Sequence, residues 1–229
     1  MVQIRPSEER GQNEMSWLKT RFTFSFDQYY DPSHTQFRSL RVLNEDVVAA
    51  GQGFGMHPHR DMEILTWVLE GAVQHRDNMG NSGVIRPGEL QHMTAGTGVM
   101  HSEFNASSKD PVHLLQIWIL PERNGLKPTY EQLAFADADL RNQFALVAGP
   151  KAPITIRQNA NLYIARLDAK VKVEHTLDRN RHAWIQVARG SIRVNGQGLE
   201  AGDGAAISNE TKIRVESAEP SEVLLFDLA

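Results

Sequence analysis

The run Gly51-Gln52-Gly53-Phe54-Gly55-Met56-His57-Pro58-His59-Arg60-Asp61-Met62-Glu63, continuing as Ile64-Leu65-Thr66-Trp67-Val68-Leu69-Glu70-Gly71, decides how the chain is read. A short apolar run rich in Ile, Leu, Trp and Val that stops at a glycine is strand punctuation, and two histidines stand two residues apart just before it. Residues at that spacing in an extended segment point to the same side, so His57 and His59 are expected to offer both rings to one interior. The same punctuation recurs outward from this stretch. Residues 22–26, 40–48, 64–69, 112–120, 162–167, 183–188, 212–215 and 223–227 read as strands. Only 128–135 and 137–144 read as short helices, with Pro128 and Asp137 near their starts. The fold expected is all-β, built from antiparallel sandwiches or barrels with a few short helices.

The Trp67-Val68-Leu69-Glu70-Gly71-Ala72-Val73 stretch has a weak echo in Gln186-Val187-Ala188-Arg189-Gly190-Ser191-Ile192. The turn at Arg86-Pro87-Gly88-Glu89 is matched by Glu200-Ala201-Gly202-Asp203. A degenerate duplication of this kind predicts two barrels, residues 1–133 and 134–229. The length of 229 residues suits that division, since a chain of this size buries roughly 70% of its unfolded surface.

Lys and Arg total 24 against 28 Asp and Glu, a net charge of −4 that gives no broad footprint for nucleic acid or an anionic membrane. The absence of cysteine excludes disulfides, thiolate catalysis and sulfur-ligated metals. A metal must therefore be held by histidine, carboxylate or water. The N-terminus lacks the basic start and apolar run of a signal peptide, so a cytoplasmic protein is expected, with a monomer slightly favoured.

Among nine histidines, His57-Pro58-His59 and His101-Ser102-Glu103 form two tight pairs 42 residues apart. Two such pairs on neighbouring strands can close on one ion. His57, His59, His101 and Glu103 are the expected metal ligands. Three imidazoles and one carboxylate suit iron, manganese, cobalt, nickel, copper or zinc and leave room for a further ligand. Glu63, four residues after His59, offers a fifth ligand or an acceptor that orients an imidazole N–H; the latter, or an ordinary strand carboxylate, is the expectation favoured over a ligand. His75, His92 and His113 are left outside the site, and the second half, with His175 and His182, is expected to hold no metal.

The stretch from Gly51 through Gly71 resembles the first motif of the cupin superfamily, and Gly98-Val99-Met100-His101-Ser102-Glu103-Phe104-Asn105 resembles the second. With Phe22-Thr23-Phe24-Ser25-Phe26 and Gln116-Ile117-Trp118-Ile119-Leu120-Pro121, the chain resembles the pirins, and among them the bacterial pirin-like quercetin 2,3-dioxygenases. The resemblance implies a bicupin with one metal ion in the first barrel, most often iron, held by His57, His59, His101 and Glu103. It implies a flavonol-like substrate and O2, oxygenative ring opening to a depside and carbon monoxide, and Glu103 as the catalytic base. An alternative implied by the same family is a metal-dependent, redox-responsive partner of transcription proteins. The general cupin pattern has six residues between its glutamate and glycine where Glu63 and Gly71 are separated by seven, and it has proline where Gly96 stands. Both departures count against Glu63 as a ligand and leave the four-residue set untouched.

Overall fold

The computed structural model describes residues 1–229, which form two compact units. One comprises residues 11–36 and 40–134, and the other residues 1–10, 37–39 and 135–229. Each contains a seven-stranded and a four-stranded sheet. Strand pairing is antiparallel throughout both, apart from the short Ala145–Gly149 pairing with Ile154–Thr155. No helix is long and apolar enough to cross a membrane.

In the first unit the large sheet runs Thr129–Ala134, Glu89–Thr94, Glu63–Glu70, Val112–Ile119, Leu40–Val48, Leu18–Phe22, Gly11–Glu14. The small one runs Gly53–His59, Val99–Asn105, Val73–Asp77, Ser82–Ile85. Alternation puts apolar side chains of both sheets face to face. Val73 and Ile85 of the small sheet pack against Leu18, Val48, Val68, Val112 and Leu114 of the large one. The second unit repeats the scheme, with Ile192, Val194, Leu199, Ile213 and Val215 packed against Ile185, Val187, Ile207, Val223 and Leu225. The matched turns share their backbone: Gly71 and Gly190 both have φ of +75°, and Gly88 and Gly202 both have φ of +89°. At Gly71 and Gly190 a Cβ would lie 2.9 Å and 2.4 Å from a backbone carbonyl, so glycine is required twice over.

Four expectations need correction. Residues 129–134 form a strand, not a helix, in register with Glu89–Thr94, whose free edge supplies the hydrogen bonds that a short polar segment after Pro128 lacks as a helix. The second helix is a single turn, Asp137–Leu140, ended by extended Arg141 and by Asn142 at φ +57°. The strand expected at 22–26 is Leu18–Phe22, after which the chain turns at Asp27 with φ +51°. Val2–Arg5 pairs with Gly204–Ile207, so the first ten residues belong to the C-terminal unit and not to the 1–133 domain.

Candidate metal centre

Gly53–His59 pairs with Val99–Asn105 and sets His101 opposite His57. The next pair is Glu103 with Phe54, so one residue on one strand, Ser102, answers two on the other, Gly55 and Met56. The resulting bulge turns Phe54 to the same side as His57, and both line one cavity. The strands approach so closely that a Cβ on Gly53 would lie 2.2 Å from the Glu103 carbonyl oxygen.

Three imidazoles meet there. Ring centroids lie 4.4 Å apart for His57 and His101, 4.7 Å for His59 and His101, and 4.8 Å for His57 and His59. Their ligand nitrogens lie within 4.8 Å of one another. Burial, with repulsion from His57 and His75 added, lowers the His101 pKa to about 3. Burial and the neighbouring His101 and His57 lower that of His59 to about 4. Both rings are therefore neutral near pH 7, the form that ligates a metal.

The hydrogen bonds decide which nitrogens are free. His57 Nδ1 donates to the Gly55 carbonyl at 2.7 Å, leaving the Nε2 lone pair available. His101 Nδ1 faces Nδ1 of His75 at 3.4 Å, and His101 Nε2 is buried with no hydrogen-bond partner. That orphaned nitrogen, beside two further imidazoles, is what a metal ion would satisfy.

His75, which the spacing argument left aside, is fully buried and stands between His101 and Asp77. Burial alone would raise the Asp77 pKa, but hydrogen bonds from Asn81, His75 and Met79 outweigh it and hold the carboxyl below its usual value. The ionised Asp77 accepts from His75 Nε2 at 3.4 Å, which leaves His75 Nδ1 to accept from His101 Nδ1. This relay fixes the His101 tautomer with Nε2 as the open ligand. His75 also stacks on Tyr130, with centroids 4.9 Å apart. A lone histidine in sequence carried no signal of this role. The pairing of Val73–Asp77 with Val99–Asn105, which sets Glu103 opposite His75 and His101 opposite Asp77, creates it.

Glu103 accepts from Thr66 Oγ1 at 3.1 Å and from Gln116 Nε2 at 2.8 Å. Its carboxylate groups within 4.8 Å with His101 and His75, so the four expected ligands fall into two overlapping sets that share His101. Thr66 and Gln116 belong to a polar row across the large sheet, Asn44, Gln116, Thr66, Gln91 and Gln132, each opposite the next.

The cavity of about 170 Å³ beside the histidines is walled by Phe22, Phe26, Phe54 and Trp118. The Trp118 ring meets His59 edge-on at 4.9 Å. A larger hollow of about 830 Å³ lies in the C-terminal unit, but its charged lining is largely spent in Lys172–Glu216, Lys212–Glu174 and Arg214–Glu174 pairs. Glu63 sits on the opposite face of its strand from Thr66, accepting from His92 Nε2 at 2.7 Å and Thr94 Oγ1 at 3.1 Å. His113 pairs with Glu45, His175 with Asp227, and His182 with Ser208.

Comparison with known proteins agrees with this architecture. The pirin family model matches residues 3–119, and a model described as the quercetinase C-terminal cupin domain matches residues 146–228. A quercetin 2,3-dioxygenase of Escherichia coli K12 is 48% identical over 231 residues, covering all of this chain and 99% of the relative. The chain belongs to the pirin family. A putative quercetin 2,3-dioxygenase of Pasteurella multocida is 43% identical, with full coverage of both chains. The crystal structure of the bacterial pirin YhhW from Escherichia coli in complex with nickel(II) superposes with a TM-score of 0.94 at 46% identity, covering 100% of this chain and 99% of that one. In this pirin, neutral imidazoles with a carboxylate alongside fit a divalent transition metal.

Proposed function

We propose that this pirin is a metal-dependent dioxygenase that opens the heterocyclic ring of flavonols such as quercetin with O2, giving a depside and carbon monoxide. The observation that carries this reading is the convergence of three imidazoles, two of which, His57 and His59, line an aromatic-walled cavity together with Glu103. The relatives named quercetin 2,3-dioxygenase support it. His57, His59 and His101 would hold the ion, with Glu103 as the fourth ligand and iron as the metal. When bound, the ion supplies Lewis acidity that stabilises the anion of the flavonol 3-hydroxyl.

The chain's own groups do the rest. Gln116 stays on Glu103 Oε2, whereas the Thr66 hydroxyl on Oε1 has a second acceptor, Gln116 Oε1, at 3.3 Å. Rotation of that hydroxyl frees Glu103 Oε1 to take the proton of the 3-hydroxyl. Phe26, Phe54 and Trp118 hold the flat ring system and exclude water from it. The cavity is smaller than the roughly 300 Å³ of a pocket that encloses a drug-sized ligand. The reacting rings therefore enter and the remainder of the flavonol stays at the mouth.

The test is an oxygen-electrode assay of iron-loaded protein with quercetin and a trap for carbon monoxide. Oxygen uptake matched by equimolar carbon monoxide is expected, with uptake and bound metal lost together in His57→Ala and His101→Ala. Undiminished quercetin turnover by a verified metal-free preparation would refute the proposal.

A further inference from the structure

The cavity beside the histidines has a polar wall that the proposed ring-opening chemistry leaves unused. Asn44 and Thr20 line it from the neighbouring strands Leu40–Val48 and Leu18–Phe22. Their exposures are 3% and 5%, and neither Asn44 Oδ1 nor Thr20 Oγ1 has a hydrogen-bond partner. Unpaired buried polar atoms are costly, so two of them on the wall of one cavity point to a group on the ligand.

The chemistry of that group follows from the lining. Asp27, Asp46 and Glu103 contribute carboxylates, and no lysine or arginine is among the lining residues. A carboxylate or phosphate on the ligand would meet like charge there, and a flavonol carries no cationic group, which leaves a neutral polar group. Asn44 presents either a donor or an acceptor according to how its amide is turned, and the Thr20 hydroxyl is both. A hydroxyl satisfies either arrangement. Phe22, Phe26, Phe54 and Trp118 line the same cavity, so the hydroxyl is one carried on a ring.

We infer that Asn44 and Thr20 form a specificity subsite that hydrogen-bonds a phenolic hydroxyl of the substrate other than the reacting one. The inference rests on the flavonol reading above. Register supports the placement: Asn44 stands opposite Gln116, the residue holding Glu103, and Thr20 lies diagonally from Asn44 on the next strand, opposite Asp46 and on the same face of the sheet. The subsite is thus roughly 5–10 Å from that support, about one to two strand spacings, a distance that a second hydroxyl on the fused reacting rings can span.

The experiment compares anaerobic equilibrium binding of quercetin and of 3-hydroxyflavone, which keeps only the reacting hydroxyl, to metal-loaded protein. The ratio of the two affinities in the wild type should fall about ten-fold in Asn44→Leu and several-fold in Thr20→Val, roughly the value of a single hydrogen bond. 3-Hydroxyflavone affinity should stay within about two-fold. Both variants should melt at or above the wild-type temperature, because each replaces an unpaired buried polar group with an apolar one; a purely structural role would give the reverse. Should Asn44→Leu not fold, the ratio in Thr20→Val decides. Parallel loss of both flavonols, an unchanged ratio, or no binding of either overturns the subsite. Selective binding without oxygen uptake refutes the dioxygenase reading alone, and oxygen uptake with an unchanged ratio refutes the subsite alone.

Discussion

Acid should destabilise the metal-free protein through His101. Burial first, then the nearby His57 and His75, hold its pKa at about 3 against an ordinary 6.5. Below pH 6.5 the unfolded chain takes up a proton at this position while the folded chain does not. The stability contributed by neutral His101 is therefore complete above pH 6.5 and is lost progressively between pH 6.5 and about 3. At 1.36 kcal/mol per unit, the interval from 6.5 down to pH 5 amounts to about 2 kcal/mol. The residue is only 1% exposed, so solvent screening takes little from this figure. His59, with its pKa near 4, acts in the same direction, though its partial exposure makes its share smaller. The assay is urea unfolding of metal-free protein at pH 7 and pH 5, for the wild type and for His101→Leu. The variant should lose about 2 kcal/mol less than the wild type between the two pH values. An equal loss in both proteins would refute the placement of a neutral, buried imidazole at this position.

Three further outcomes are expected. His75→Phe should weaken metal retention about 10- to 100-fold against a competing chelator while leaving the far-ultraviolet spectrum unchanged, and His75→Gln should recover part of the loss. Glu103→Gln should lower kcat by about 100-fold or more with a smaller change in KM, as removal of a proton acceptor requires, with metal still measurable by elemental analysis. Gly53→Ala should destabilise the protein by roughly 2–4 kcal/mol in thermal melts and cost metal binding, because its Cβ would push apart the two strands that carry the histidines.

The histidine constellation was legible because it rests on a short-range rule. Alternation along a strand places His57 and His59 on one side, and the glycines around them mark a close approach of backbones. What escaped the sequence depended on partners far along the chain. Val2–Arg5 alternates as a strand should, yet its place is set by Gly204–Ile207. Thr129–Ala134 has no decisive period of its own, and the free edge of Glu89–Thr94 makes it a strand. His75 acquires its role only when Val73–Asp77 pairs with the strand of His101. The expected four-ligand set likewise met a contact that spacing could not supply: Thr66 and Gln116 hold Glu103 from the other sheet.

An X-ray absorption spectrum at the metal edge, taken on protein loaded with one divalent ion before and after anaerobic addition of quercetin, tests the central claim most directly. Scattering from three imidazoles should be present in both states, with a change confined to the oxygen shell when the flavonol arrives. Fewer than three imidazoles, or a spectrum that quercetin leaves unmoved, would contradict it.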